Sequence, residues 1–131
     1  MNNSSNNLNL FQTLFLIKGI MTLLFSLLFI VYAFIGGFLG NIFEASNDAN
    51  PISFNPGIIF IIIGSIGFII SLVMGILTLL ASKYLKEIKN YNFIFVVAVL
   101  NCLTGILGIV LCIFTIIELN KPLVKELFNK H

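Results

Sequence analysis

Three uncharged stretches, residues 19 to 43, 49 to 82 and 90 to 117, take up most of the 131-residue chain. Each exceeds the ~20 apolar residues that a helix needs to cross a bilayer. With 59% of residues hydrophobic and only 9% charged, there is too little polar surface to cover a soluble domain of this size. The expected fold is therefore an all-α integral membrane protein, with three transmembrane helices in a compact bundle plus a short C-terminal amphipathic helix.

Residues 1 to 7, MNNSSNN, are polar and expected to be disordered, and residues 8 to 129 are expected to form a single membrane domain. Its first helix runs over about 8 to 40, with Lys18 at the membrane boundary, where its aliphatic stem lets the charge reach the headgroups. The leader carries no Lys or Arg, and the apolar stretch runs past the usual ~7 to 15 residues of a cleavable signal. It reads as an anchor. An irregular, mildly acidic loop follows over 41 to 56, with Glu44, Asp48, Pro51 and Pro56. Helix 2 is expected over 57 to 82, behind Pro56.

The link 83 to 90, KYLKEIKN, sets Lys83, Lys86 and Lys89 against one Glu87, with Tyr84 and Tyr91 as interface aromatics. The positive-inside rule makes this link cytoplasmic and the acidic loop external. Helix 3 is expected over 91 to 118, a length of about 40 Å, enough for one tilted crossing but not two. Asn120 is a candidate N-cap for an interfacial helix over 121 to 129, with Pro122 in its first turn. Three crossings would put Lys121, Lys125 and Lys130 outside, against the same rule. The alternative is a re-entrant third segment that turns back near residues 101 to 108 and returns the C-terminus inside.

Small residues recur with helical phase in all three runs. Gly19, Thr22, Ser26, Ala33, Gly36 and Gly40 form the first stripe, interrupted only by Phe29. Gly64, Gly67, Ser71, Gly75, Thr78 and Ser82 form the second. The third comprises Ala98, Asn101, Gly105, Gly108, Cys112 and Thr115. Lipid gives no hydrophobic drive for helices to associate, so small residues that let backbones approach mark packing faces. Intervals of three and four favour left-handed crossings of about +20°. They also favour a continuous third helix, since a turn at 101 to 108 has no reason to keep the phase.

Few side chains suit chemistry. Asn101 is expected to hydrogen-bond across the bundle, with Tyr32 and Thr104 as candidate partners. Cys102 and Cys112, ten residues apart, would lie about 15 Å apart on different faces of one helix. That spacing excludes an intrahelical disulfide or metal pair, so both read as small hydrophobes. His131 is the sole histidine and the last residue. No Asp or Glu falls within a run, which counts against a proton-coupled carrier. An oligomeric ion pore stays open, because backbone carbonyls can coordinate an ion. No enzyme activity, cofactor or metal is expected, and a net charge of +2 is too small to argue for nucleic acid.

From Gly57 onward the chain resembles a family of small, uncharacterised bacterial membrane proteins. The resemblance rests on Gly57 and Phe60, on Tyr91 and Phe93 behind the basic link, and on Cys102, Gly108 and Leu111. FTIIEL at 114 to 119, Pro122, Val124, Leu127 and Phe128 complete it. Relatives often carry an acidic residue where Asn101 stands and prolines near Phe29 and Ile106. The resemblance implies a fold and a membrane location and no reaction.

The functional expectation is a non-enzymatic, multi-pass protein of the bacterial inner membrane. Its partners are the lipid bilayer and either itself or other membrane proteins, as homo-oligomer or accessory subunit of a complex. A small channel or carrier, and an immunity-type protein that guards the membrane against a toxin, are the alternatives.

Overall fold

The computed structural model describes residues 2–46 and 54–129; Asp48, Pro51, Lys130 and His131 lie outside them. Five helices follow one another: α1 (Asn2–Ser46), α2 (Pro56–Glu87), α3 (Tyr91–Cys102), α4 (Ile106–Leu119) and α5 (Pro122–Asn129). No strand occurs among the described residues. By length and composition α1 and α2 can each cross a membrane, and the count reaches three if α4 and α5, which meet at 76°, form one bent span. The protein is all-helical, but the third expected span is two helices.

Helix α1 outruns its expected bounds at both ends. Leu8, Phe11 and Phe15, at the start of the expected helix, are spaced three and four apart and all buried, which docks that end of α1 in a core. Residues 2 to 7, expected to be disordered, continue that helix, and the Asn7 amide donates to Glu118 Oε1 at 3.3 Å. Residues 41 to 46, expected as loop, are also helical, and Ser46 Oγ donates to the Ile42 carbonyl at 2.7 Å.

Asn55 caps α2: its Oδ1 accepts the Gly57 N–H at 2.9 Å, and Pro56 fills the first position, where a missing N–H costs nothing. The helix continues past residue 82 to Glu87, so most of the expected link is helix and the break is confined to 88–90. There Ile88 and Asn90 adopt left-handed backbone at φ 53°. The Lys89 N–H returns to the Tyr84 carbonyl at 3.0 Å, satisfying one of the carbonyls a helix end leaves open.

The third apolar run is not the continuous helix expected over 91 to 118. Helix α3 stops at Cys102, and the N–H groups of Leu103 and Thr104 bond back to the Leu100 and Asn101 carbonyls at 3.1 and 3.0 Å. Gly105 then turns the chain with φ 117°, a conformation that L side chains rarely adopt. Helix α4 returns antiparallel to α3. A Cys102–Cys112 disulfide joins the two near the turn, with Cα atoms 5.6 Å apart. At the open end the Tyr91 hydroxyl donates to the Leu119 carbonyl at 3.2 Å. The exclusion of a disulfide assumed one helix; the turn removes that assumption and brings the two cysteines together. Asn120 ends α4 instead of capping α5, and α5 begins at Pro122, with the Val124 and Lys125 N–H groups bonded to the Lys121 carbonyl.

The chain packs as two compact units, one formed by residues 22–73 and the other by residues 1–21 with 74–131. In the first, α1 and α2 meet through glycines. Gly64 lies against Ala33 and the Phe29 carbonyl, the Phe29 ring covers Gly67, and Gly36 faces Gly57 and Phe60. A Cβ on Gly57 would stand 2.6 Å from the Gly40 nitrogen, closer than any side chain tolerates. The second unit has an apolar core centred on Phe15, Leu85, Ile94, Val97, Leu119 and Val124. It draws on all five helices.

Candidate functional site

The polar interior of the second unit centres on Asn101, 1% exposed, and Thr78, fully buried. Thr78 Oγ1 lies 2.7 Å from the Met74 carbonyl and 3.3 Å from Asn101 Nδ2. Its single hydrogen goes to the shorter bond, so the hydroxyl oxygen accepts from the asparagine. The amide also donates to the Val97 carbonyl at 3.0 Å. Asn101 thus ties α3 to α2 from a position that faces no opening. Of the partners expected for it, Tyr32 stacks on Phe60 within the other unit, ring centroids 5.0 Å apart. Thr104 reaches the backbone of Asn101 and not its side chain, donating to the carbonyl at 2.7 Å.

Apart from Gly105, the remaining seam residues meet neighbours within the chain. Gly19 meets the Leu79 side chain, and Gly40 lies beside the Asn55 side chain. Ser26 is buried and donates to the Leu23 carbonyl, and Thr115 does the same to Leu111. Thr22 and Ser71 are half-buried and Gly75 is buried. Ser82 donates to the Gln12 carbonyl at 2.8 Å, joining α2 to α1. Ala98, Gly108 and Cys112 are buried on the two arms of the hairpin, and Gly108 sits against the Asn101 carbonyl. Gly105 is exposed. The even phase across residues 98 to 115 therefore belongs to two inward faces, one on each arm, and not to a single stripe.

The expected interface anchors divide. Lys83, Lys86 and Lys89 are exposed, Lys18 is half-buried, and Lys89 lies 4.0 Å from Glu87. The Tyr84 ring meets Phe93 edge-on at 5.2 Å, and that of Tyr91 meets Phe128 at 5.5 Å. Glu118, 6% exposed, receives Lys121 Nζ at 2.6 Å together with the Asn7 amide. Glu118 and Lys121 are an i,i+3 pair, but nothing in the spacing of the sequence pointed to Asn7 joining them, because it lies 111 residues from Glu118.

Beside these rings lies a cleft that combines charge with an apolar wall. It measures about 710 Å³; Tyr84, Tyr91, Phe93 and Phe128 form its apolar wall. Lys125 and three amides, Asn90, Asn92 and Asn129, supply its polar rim. Among the described residues no three His, Cys, Asp or Glu side chains come together in a way that could hold a metal ion.

Outward surfaces are aliphatic. On α2 they carry Ile62, Ile66, Ile69 and Ile70, and on α4 Ile106, Leu107, Phe114 and Ile117. At the hairpin tip, Leu103 is 84% exposed and Ile106 81%. No protein-family model matches the chain, and neither a curated protein nor a solved structure is similar to it.

Proposed function

We propose that the chain is a multi-pass protein of the bacterial inner membrane that acts without catalysis, by packing its helices with other membrane proteins or with further copies of itself. In this reading α1 and α2 cross the bilayer, and the α3–α4 hairpin dips into it and returns α5 to the side of the Lys83–Lys89 link. The carrying observation is the division of surfaces. Small and polar residues are turned inside the chain, while the faces left outward are broad apolar ones, which lipid or an apolar partner accepts and water does not.

The apolar hairpin tip supports the same reading. Around the turn at Thr104 and Gly105, Leu103, Ile106 and Leu107 are strongly exposed, where a water-facing tip would carry polar side chains. Its backbone is also served from within, through the N–H groups of Leu103, Thr104 and Ile109, as irregular backbone at membrane depth requires. A channel or carrier would use Asn101 toward a water path; its amide is bonded to Val97 and Thr78 instead.

Assembly is tested on the outward face, because Gly105 and Gly108 serve the hairpin. Purification in mild detergent with mass measurement should yield a particle with more protein mass than one 14.5 kDa chain. Converting Ile62 and Ile66 to Ala should shrink it while the protein stays in carbonate-washed membranes. A wild-type particle holding one chain and no other protein contradicts the packing role.

A further inference from the structure

The cleft beside Tyr84 and Tyr91 has a chemistry that the packing role does not use. Among the described residues its rim holds a cation and three amide groups and no carboxylate. Lys125 makes no ion pair among the described residues, unlike Lys121, which is held by Glu118, and Lys89, beside Glu87. Glu126, its neighbour on α5, does not line the cleft. The Asn90 side chain makes no capping bond to α3, so its amide is uncommitted. The apolar wall is already organised: Tyr84 and Phe93 form one edge-on pair and Tyr91 and Phe128 another. The Tyr91 hydroxyl is bonded to the Leu119 carbonyl, which fixes that ring. An opening with one unpaired positive charge, several amide donors and an aromatic wall suits an anion on a short carbon skeleton.

We infer that this cleft binds a phosphate ester of glycerol, with Lys125 and the Asn90, Asn92 and Asn129 amides on the phosphate and the four rings against the glycerol. The source is the headgroup of an anionic glycerophospholipid. This assignment rests on the membrane reading above, which puts α5 and Lys125 at the bilayer surface, where such headgroups and basic residues meet. The same chemistry is offered by a soluble glycerol phosphate.

The test is native mass spectrometry of the full chain released from detergent, titrated with dioleoylphosphatidylglycerol, with dioleoylphosphatidylcholine and with sn-glycerol 3-phosphate. The phosphatidylglycerol adduct should form at lower concentration than the phosphatidylcholine adduct. Lys125→Gln should weaken it about tenfold, the worth of one charge-assisted hydrogen bond. Lys86→Gln, which removes the same charge from an exposed side chain that does not line the cleft, should change it less than about twofold, as screened exposed charges do. Asn92→Ala should weaken it as well. Equal losses in Lys125→Gln and Lys86→Gln, or equal binding of the two lipids, overturns the site. Displacement of the lipid by equimolar glycerol phosphate overturns the lipid source and leaves a soluble phosphate ester as ligand. Extraction by carbonate is measured on the same protein. Release from the membrane would count against the membrane reading alone, because the glycerol phosphate titration tests the cleft in its absence.

Discussion

Cys102 and Cys112 are bonded across the turn between α3 and α4, and that bond sits where a continuous third helix would have kept the two sulfurs on different faces. The hairpin it closes decides which residues form the interior. Asn101 and Ala98 face inward from one arm, Gly108 and Thr115 from the other, and α5 is carried back toward the end of α2. Three consequences can be measured.

The disulfide leaves no free thiol among the described residues. The denatured, unreduced protein should therefore take up no maleimide, and two per chain after reduction. Replacing both cysteines with alanine should lower stability by ~2–3 kcal/mol, the chain-entropy value for a loop of about ten residues, read as a shifted midpoint in detergent unfolding. Two labels without reduction would show that the bond is absent.

Asn101 and Thr78 are coupled, with the amide donating to the hydroxyl oxygen. Asn101→Leu and Thr78→Val should each destabilise, and the double variant should cost less than their sum by ~0.6–2 kcal/mol, the range for hydrogen bonds between membrane helices. A strictly additive cycle would mean that the bond contributes nothing. Solute flux should be unchanged in either variant, since both side chains are buried and bonded to each other.

Glycines within the 22–73 unit differ in what surrounds them. Gly57→Ala drives a methyl group into the backbone at Gly40 and should cost ~1–3 kcal/mol, as overpacking does. Gly37 has nothing within 4 Å of an added Cβ, so Gly37→Ala should be neutral or stabilise by up to ~1 kcal/mol through helix propensity. Similar midpoints for the two variants would contradict the close approach of α1 to α2.

Much of this was legible in advance, for a physical reason. Helix class and the inward stripes of α1 and α2 follow from local periodicity, which is why Gly19, Ser26, Gly36, Gly64 and Thr78 could be picked out before their neighbours were known. The break in the third run was not legible from that pattern, because each arm of the hairpin needs its own small inward face and the two faces happen to continue in phase. The available signals were Thr104 followed by Gly105, whose φ of 117° only glycine takes easily, and a cysteine on either side. Contacts between distant residues, such as Asn7 with Glu118 and the rings that wall the cleft, depend on tertiary placement and leave no mark in spacing. The extra turns of α1, residues 2 to 7 and 41 to 46, show the same limit, since no apolar periodicity marked them as helix.

The most direct test of the account is the side on which α5 lies relative to the end of α2. Lys86→Cys and Glu126→Cys are each introduced into the otherwise unchanged chain, whose native cysteines are bonded to each other. A membrane-impermeant maleimide is then applied to inside-out and right-side-out vesicles. A hairpin predicts that both positions label in the same vesicle orientation, the inside-out one. Labelling of residue 86 and residue 126 in opposite orientations would mean that residues 91 to 118 cross the membrane once, and would contradict it.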